Sequence, residues 1–127
     1  MAARLLMIED DPGFIEAMSY LLEKAGYTLT VARNGREGLE KARQEQPDLI
    51  LTDLLLPGLN GYEVCTMLKQ DVRYQKTPII IWSASKVQEP DQKLALECGA
   101  DAFVLKATEP KQLLGKIQEV LAAAPRS

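Results

Sequence analysis

The chain has 127 residues, 46% hydrophobic and 26% charged, which is enough for one domain with a true core and too apolar for a disordered segment. A net charge of −3 argues against non-specific nucleic-acid binding, and the lack of any histidine excludes Ser–His and Cys–His nucleophile pairs and imidazole metal ligands. No apolar run approaches the ~20 residues of a membrane span, and "MAARLLMIEDD" turns acidic too early for a secretory signal, so a cytoplasmic location is expected.

Short apolar runs then alternate with helical patterns along the chain. "RLLMI" (4–8) reads as a strand. Phe14, Ala17, Met18, Leu21, Leu22 and Ala25 recur at helical spacing, with Asp11-Pro12 as an N-cap and first helical residue and Gly26 as the stop. "TLTVA" (28–32) is the second strand, and "NG" at 34–35 opens a helix carrying Leu39 and Ala42. "DLILTD" (48–53) is the third strand. A loop with Pro57, Gly58, Asn60 and Gly61 leads into a helix with Val64, Met67 and Leu68.

"PIIIW" (78–82) is continuously apolar, as a strand buried on both faces should be. A helix is expected around 90–98, ended by Gly99, and "AFVL" (102–105) is the fifth strand. The last helix starts after Thr108 and carries Leu113, Leu114, Ile117, Val120 and Leu121 on one stripe. Cys65 and Cys98 are expected as two reduced core thiols. Residues 1–122 form the domain, and "AAAPRS" leaves 123–127 as a tail or the start of a linker.

Five successive βα units imply an α/β fold, a doubly wound parallel sheet with helices on both faces and right-handed crossovers. Ligands in such folds bind beyond the carboxyl ends of the strands, and here those ends carry chemistry. The first strand ends in Glu9, Asp10 and Asp11, the third in Asp53, the fourth in Ser83 and the fifth in Lys106. Asp53 lies in the aliphatic run "LILTDLLLPG", where an uncompensated carboxylate is costly. If the first and third strands are neighbours, Asp10 and Asp53 repel, and either one takes up a proton or something positive, Lys106 or a hard divalent cation, sits between them. An acidic pocket without histidine or thiolate suits Mg²⁺ or Mn²⁺ rather than zinc or copper. A carboxylate beside such a metal can accept a phosphoryl group. Taken singly, Asp53 could cap a turn, Lys106 could be a surface lysine and Ser83 an ordinary strand-end hydroxyl; the functional reading rests on their convergence.

"LLMIEDDP", "LILTDLLLPGLNGYE", "PIIIWSAS" and "GADAFVLKA" together resemble the receiver domain of two-component response regulators, over essentially the whole chain. The resemblance implies strand order 2-1-3-4-5 with five helices. It implies that Asp53 accepts a phosphoryl group from a kinase histidine. It further implies that Glu9, Asp10, Asp53 and the backbone carbonyl of Leu55 hold Mg²⁺, that Ser83 and Lys106 contact the phosphoryl group, and that the Phe103 rotamer follows the switch. The partners implied are a histidine kinase or phosphotransfer protein and a downstream effector domain or protein, with no nucleic acid or membrane contacted directly. A phosphorylation-dependent dimer is compatible. The output is a shift of the surface formed by the fourth helix, fifth strand and last helix, in a phosphoacceptor rather than an enzyme.

Two departures stand out. Receivers usually carry Lys-Pro where this chain has Lys106-Ala107, so the bond is either trans or a costly non-proline cis. Glu9 replaces the more usual Asp. The alternative within the family is a degenerate receiver acting by binding alone. A haloacid dehalogenase-type phosphatase needs an acid where Leu55 stands, and a flavodoxin-like cofactor binder needs a phosphate-cradling loop where "EDDPGF" offers carboxylates.

Overall fold

The computed structural model describes residues 3–84 and 97–124. Five parallel strands, β1 (Arg4–Ile8), β2 (Thr28–Ala32), β3 (Leu49–Asp53), β4 (Ile79–Ser83) and β5 (Ala102–Leu105), form one sheet in the order β2-β1-β3-β4-β5. Four helices are described: α1 (Pro12–Lys24), α2 (Gly35–Glu45), α3 (Gly61–Gln70) and α4 (Pro110–Ala123). The helix expected around 90–98 falls largely on residues 85–96, outside the described residues.

The three central strands follow from their composition. β3 and β4 are buried at every position, and residues 5–8 of β1 likewise, because helices cover both faces. Side-chain alternation then sorts each strand between two cores. Leu6, Ile8, Ile50, Ile79 and Ile81 pack with α2 and α3, whereas Leu5, Met7, Leu49, Leu51, Ile80, Trp82 and Val104 pack with α1 and α4. β2 is an edge strand and only its last residue, Ala32, is fully buried.

Two inward assignments differ from the sequence pattern. In α1 the buried set is Ile15, Met18 and Leu22, while Ala17 and Ala25 are exposed, since Ala17 lies on the far side of the helical wheel from that stripe. In α3 the stripe is Gly61, Val64, Cys65 and Leu68, which turns Met67 to solvent. The helix starts are capped as their sequences suggest. Asp11 accepts from the Gly13 N–H at 3.1 Å ahead of Pro12, Asn34 accepts from Glu37, and Asn60 and Glu63 form a reciprocal capping box on α3.

Candidate functional site

Continuing the alternation past each strand builds the site. Glu9 is two residues beyond Met7, Asp53 two beyond Leu51, and Lys106 two beyond Val104, so all three project on the α1–α4 face at the carboxyl end of the sheet. The backbone keeps them there. Glu9 N–H extends the β1–β2 ladder to Ala32 O at 2.9 Å, and Lys106 N–H bonds Ser83 O at 2.8 Å. Gly61 begins α3 against the Asp53 backbone, since a Cβ there would come within 2.5 Å of the Asp53 carbonyl oxygen. Its N–H donates to Leu54 O at 2.9 Å, holding the loop after β3 tight beneath the helix start.

Carboxylate oxygens of Glu9, Asp10 and Asp53 converge to within 4.8 Å of one another. Glu9 is fully buried, Asp53 is buried and Asp10 is exposed. Glu9 Oε2 accepts the N–H groups of Asp10 and Asp11, each at 3.1 Å. Its Oε1 meets Lys106 Nζ at 2.5 Å, and the same ammonium lies 3.4 Å from Asp53 Oδ2. The Leu55 N–H also donates to the Asp53 carboxylate.

Burial raises the Glu9 pKa, against the opposing hydrogen bond from Lys106. Burial likewise raises that of Asp53, with the Lys106 charge pulling the other way. Three converging carboxylates against one ammonium leave the site short of positive charge, and that is the electrostatic signature of a place for a hard divalent cation. The donors present are all carboxylate oxygens, which fits Mg²⁺ or Mn²⁺ and not a thiophilic metal.

The sequence pattern left open whether Lys106 or a cation answers Asp53. In the structure Lys106 does so, yet it holds Glu9 more closely than Asp53. The Lys106–Ala107 bond is trans, as no cis peptide occurs among the described residues. Lys106 therefore reaches the carboxylates without the proline.

One contact was not legible in advance. Lys106 Nζ sits 4.4 Å from the centroid of the Phe14 ring, and Phe14 meets Trp82 edge-on at 4.9 Å and 85°. The first turn of α1 thus carries an aromatic floor for the lysine. Phe14 reads in sequence only as a helix core residue, because its link to Lys106 depends on how the first turn of α1 meets Trp82 and the residue that follows β5. Ser83 is buried at the end of β4, in register with Leu105. The Leu55 side chain points to solvent, 72% exposed. Phe103 is half-buried against the α2–α3 core, the opposite side of the sheet from Trp82, so the structure does not gather it with the carboxylates.

Residues 5–118 match the family model described as the response regulator receiver domain. Over 118 residues the chain is 37% identical to the DNA-binding response regulator MtrA of Mycolicibacterium smegmatis, covering 93% of this chain and 50% of that protein. It therefore spans about half the length of that relative. Protein PilH of Pseudomonas aeruginosa is 37% identical over 120 residues, covering 94% of this chain and 98% of that protein. Among solved structures, the signal receiver domain of a signal transduction histidine kinase from Syntrophus aciditrophicus superposes with a TM-score of 0.90 at 32% identity, covering 99% of this chain and 95% of that one.

Proposed function

The chain belongs to the response regulator receiver domain family, and on that premise we propose that it is a phosphorylation-driven switch with Asp53 as its phosphoacceptor. The observation that carries the reading is the convergence of three carboxylates beside a single shared ammonium at the carboxyl end of the sheet. An ionised Asp53 oxygen attacks the phosphorus of a phosphohistidine on a kinase or phosphotransfer protein, the P–N bond breaks, and the imidazole leaves with its electron pair. Glu9, Asp10 and Asp53, with the Leu55 carbonyl, would hold Mg²⁺, which offsets charge on the transferring phosphoryl oxygens when bound.

Lys106 has two successive tasks. Without a cation it is shared between Glu9 and Asp53; once their charge is met otherwise, its ammonium pairs with a phosphoryl oxygen. The Ser83 hydroxyl donates to another, and Phe103 follows that movement toward the surface formed by β5, α4 and the helix expected around 90–98. The protein assists its own phosphorylation and dephosphorylation and turns over no further substrate. We take residues 1–122 as the receiver, and the phosphorylated surface can pair with a second copy. No described helix is long and apolar enough to cross a membrane, and we place the switch in the cytoplasm.

Incubation with acetyl phosphate tests the reading by intact mass. A single phosphoryl adduct is expected with Mg²⁺ and none with a chelator. No adduct, together with Trp82 fluorescence unmoved by Mg²⁺ or beryllofluoride, would overturn it in favour of a degenerate receiver.

The aromatic floor supplies a sharper expectation. A cation–π contact of this kind contributes about 0.5–2 kcal/mol. Phe14→Leu should therefore slow acetyl-phosphate uptake by roughly twofold to thirtyfold, while Phe14→Tyr, which keeps the ring, stays near wild type. Equal uptake in both, at matched urea stability, would remove Phe14 from the positioning of Lys106.

A further inference from the structure

Cys65 and Cys98 stand 33 residues apart in the chain, but the fold brings them into contact at the opposite end of β5 from Lys106. The Cys65 thiol lies 3.3 Å from the Cys98 carbonyl oxygen and also hydrogen-bonds the Cys98 sulfur. Cys65 is fully buried on α3, whereas Cys98 is part-exposed in the turn that leads to β5. Gly99, at φ 97°, lets that turn close so that the Ala100 N–H points back at the Cys98 sulfur.

We propose that Cys65 and Cys98 are a redox pair, which a low-molecular-weight disulfide oxidises to an internal disulfide between α3 and the turn before β5. This does not depend on the phosphoacceptor reading. The asymmetry of the pair supplies the chemistry. Hydrogen bonds from the Cys65 thiol and the Ala100 N–H, with the nearby Lys69 ammonium, lower the Cys98 pKa to about 7. An ordinary thiol stays mostly protonated at neutral pH, with a pKa near ~8.5. The Cys65 pKa is raised, chiefly by its hydrogen bond to Cys98 and by burial, with Asp101 adding to the rise. Cys98 is thus both the reachable sulfur and the thiolate, and Cys65 is protected from outside reagents.

The steps balance. The Cys98 thiolate attacks one sulfur of the external disulfide, forming a mixed disulfide and expelling one thiolate. Cys65 then gives up its proton and attacks the Cys98 sulfur, expelling the second thiolate. Two protein thiols are oxidised and one external disulfide becomes two thiols. The sulfurs start in hydrogen-bonding contact, and forming the disulfide brings them to about 2.05 Å.

The experiment is intact mass and non-reducing peptide mapping of the full chain in oxidised glutathione. Wild type is expected to lose two hydrogen masses, carry no lasting glutathione, remain monomeric and yield one peptide linking Cys65 to Cys98. Cys65→Ala should instead keep a glutathione adduct on Cys98, and Cys98→Ala should stay unmodified while folded. Iodoacetamide labelling of Cys98 in reduced wild type should reach half its maximal rate near pH 7. A stable glutathione adduct on wild type, two thiols still free, or a cross-link between chains would each overturn the proposal, and none of these outcomes depends on a variant folding.

Discussion

Asp53→Asn is expected to abolish the phosphoryl adduct and, in the same protein, to raise the thermal midpoint in a metal-free buffer. The first effect follows from chemistry: an amide of the same shape is no nucleophile toward phosphorus. The second follows from the charge imbalance at the strand ends. Burial raises the Asp53 pKa despite Lys106 beside it, so holding the carboxylate ionised costs the native state more than the unfolded chain. Lys106 keeps its closer partner, Glu9, when Asp53 is neutral. Relieving that cost should be worth about 1 kcal/mol, or roughly 3–5 °C for a domain of this size.

The pH dependence gives the sign independently. A carboxylate whose folded pKa is raised keeps its proton in the native state after the unfolded chain has lost it. Stability then falls as pH rises from the ordinary carboxylate value through the raised one, and is level above. Glu9 and Asp53 both shift this way. Wild type and Asp53→Asn should accordingly converge at the acid end of that window and separate through it, as urea unfolding across pH in EDTA would show. Magnesium should reverse the order, because the wild type keeps all three carboxylates for the cation. A variant that melts lower than wild type in EDTA would mean that Asp53 holds the fold together rather than standing ready for modification.

The parts of this site that could be read in the sequence are those fixed by backbone position. Strand ends are set by apolar runs, and the α/β alternation puts all of them at one edge. Glu9, Asp10, Asp53 and Lys106 therefore converge as expected from "LLMIEDDP", "LILTD" and "FVLK". The contacts that depend on side-chain direction were not readable. Sequence placed Lys106 toward Asp53, yet the shorter ion pair is with Glu9, whose extra methylene relative to Asp carries its carboxylate further from the strand. The Phe14 floor and the Cys65–Cys98 contact join residues remote in sequence, and only the packing of α1 and α3 creates them. Met67 and Ala17 failed as core residues for a simpler reason, since spacing alone does not fix the centre of a helical stripe.

Lys106→Met is expected to move stability in the opposite direction from Asp53→Asn, and by more. Its ammonium is the shared partner of two buried carboxylates, and its side chain is itself only 14% exposed. Removing one member of such a set strands the others, at a cost of about 3–5 kcal/mol in comparable buried pairs. The loss is capped because Glu9 and Asp53, both raised already, can take up a proton instead of remaining as stranded anions. At neutral pH the thermal midpoint of the metal-free variant should then fall by roughly 10 °C. Two conditions should restore most of it by the same electrostatic route: mildly acidic pH, which neutralises the carboxylates, and millimolar Mg²⁺, which compensates them. Phosphoryl uptake should remain impaired in Mg²⁺, since a restored fold still lacks the ammonium that meets the phosphoryl oxygen. Melting curves in EDTA and in Mg²⁺, each at neutral and mildly acidic pH, separate this from a packing effect. A lost methylene contact or a gap above the Phe14 ring would lower the midpoint equally in all four conditions, and that outcome would mean Lys106 is held there for its stem rather than its charge.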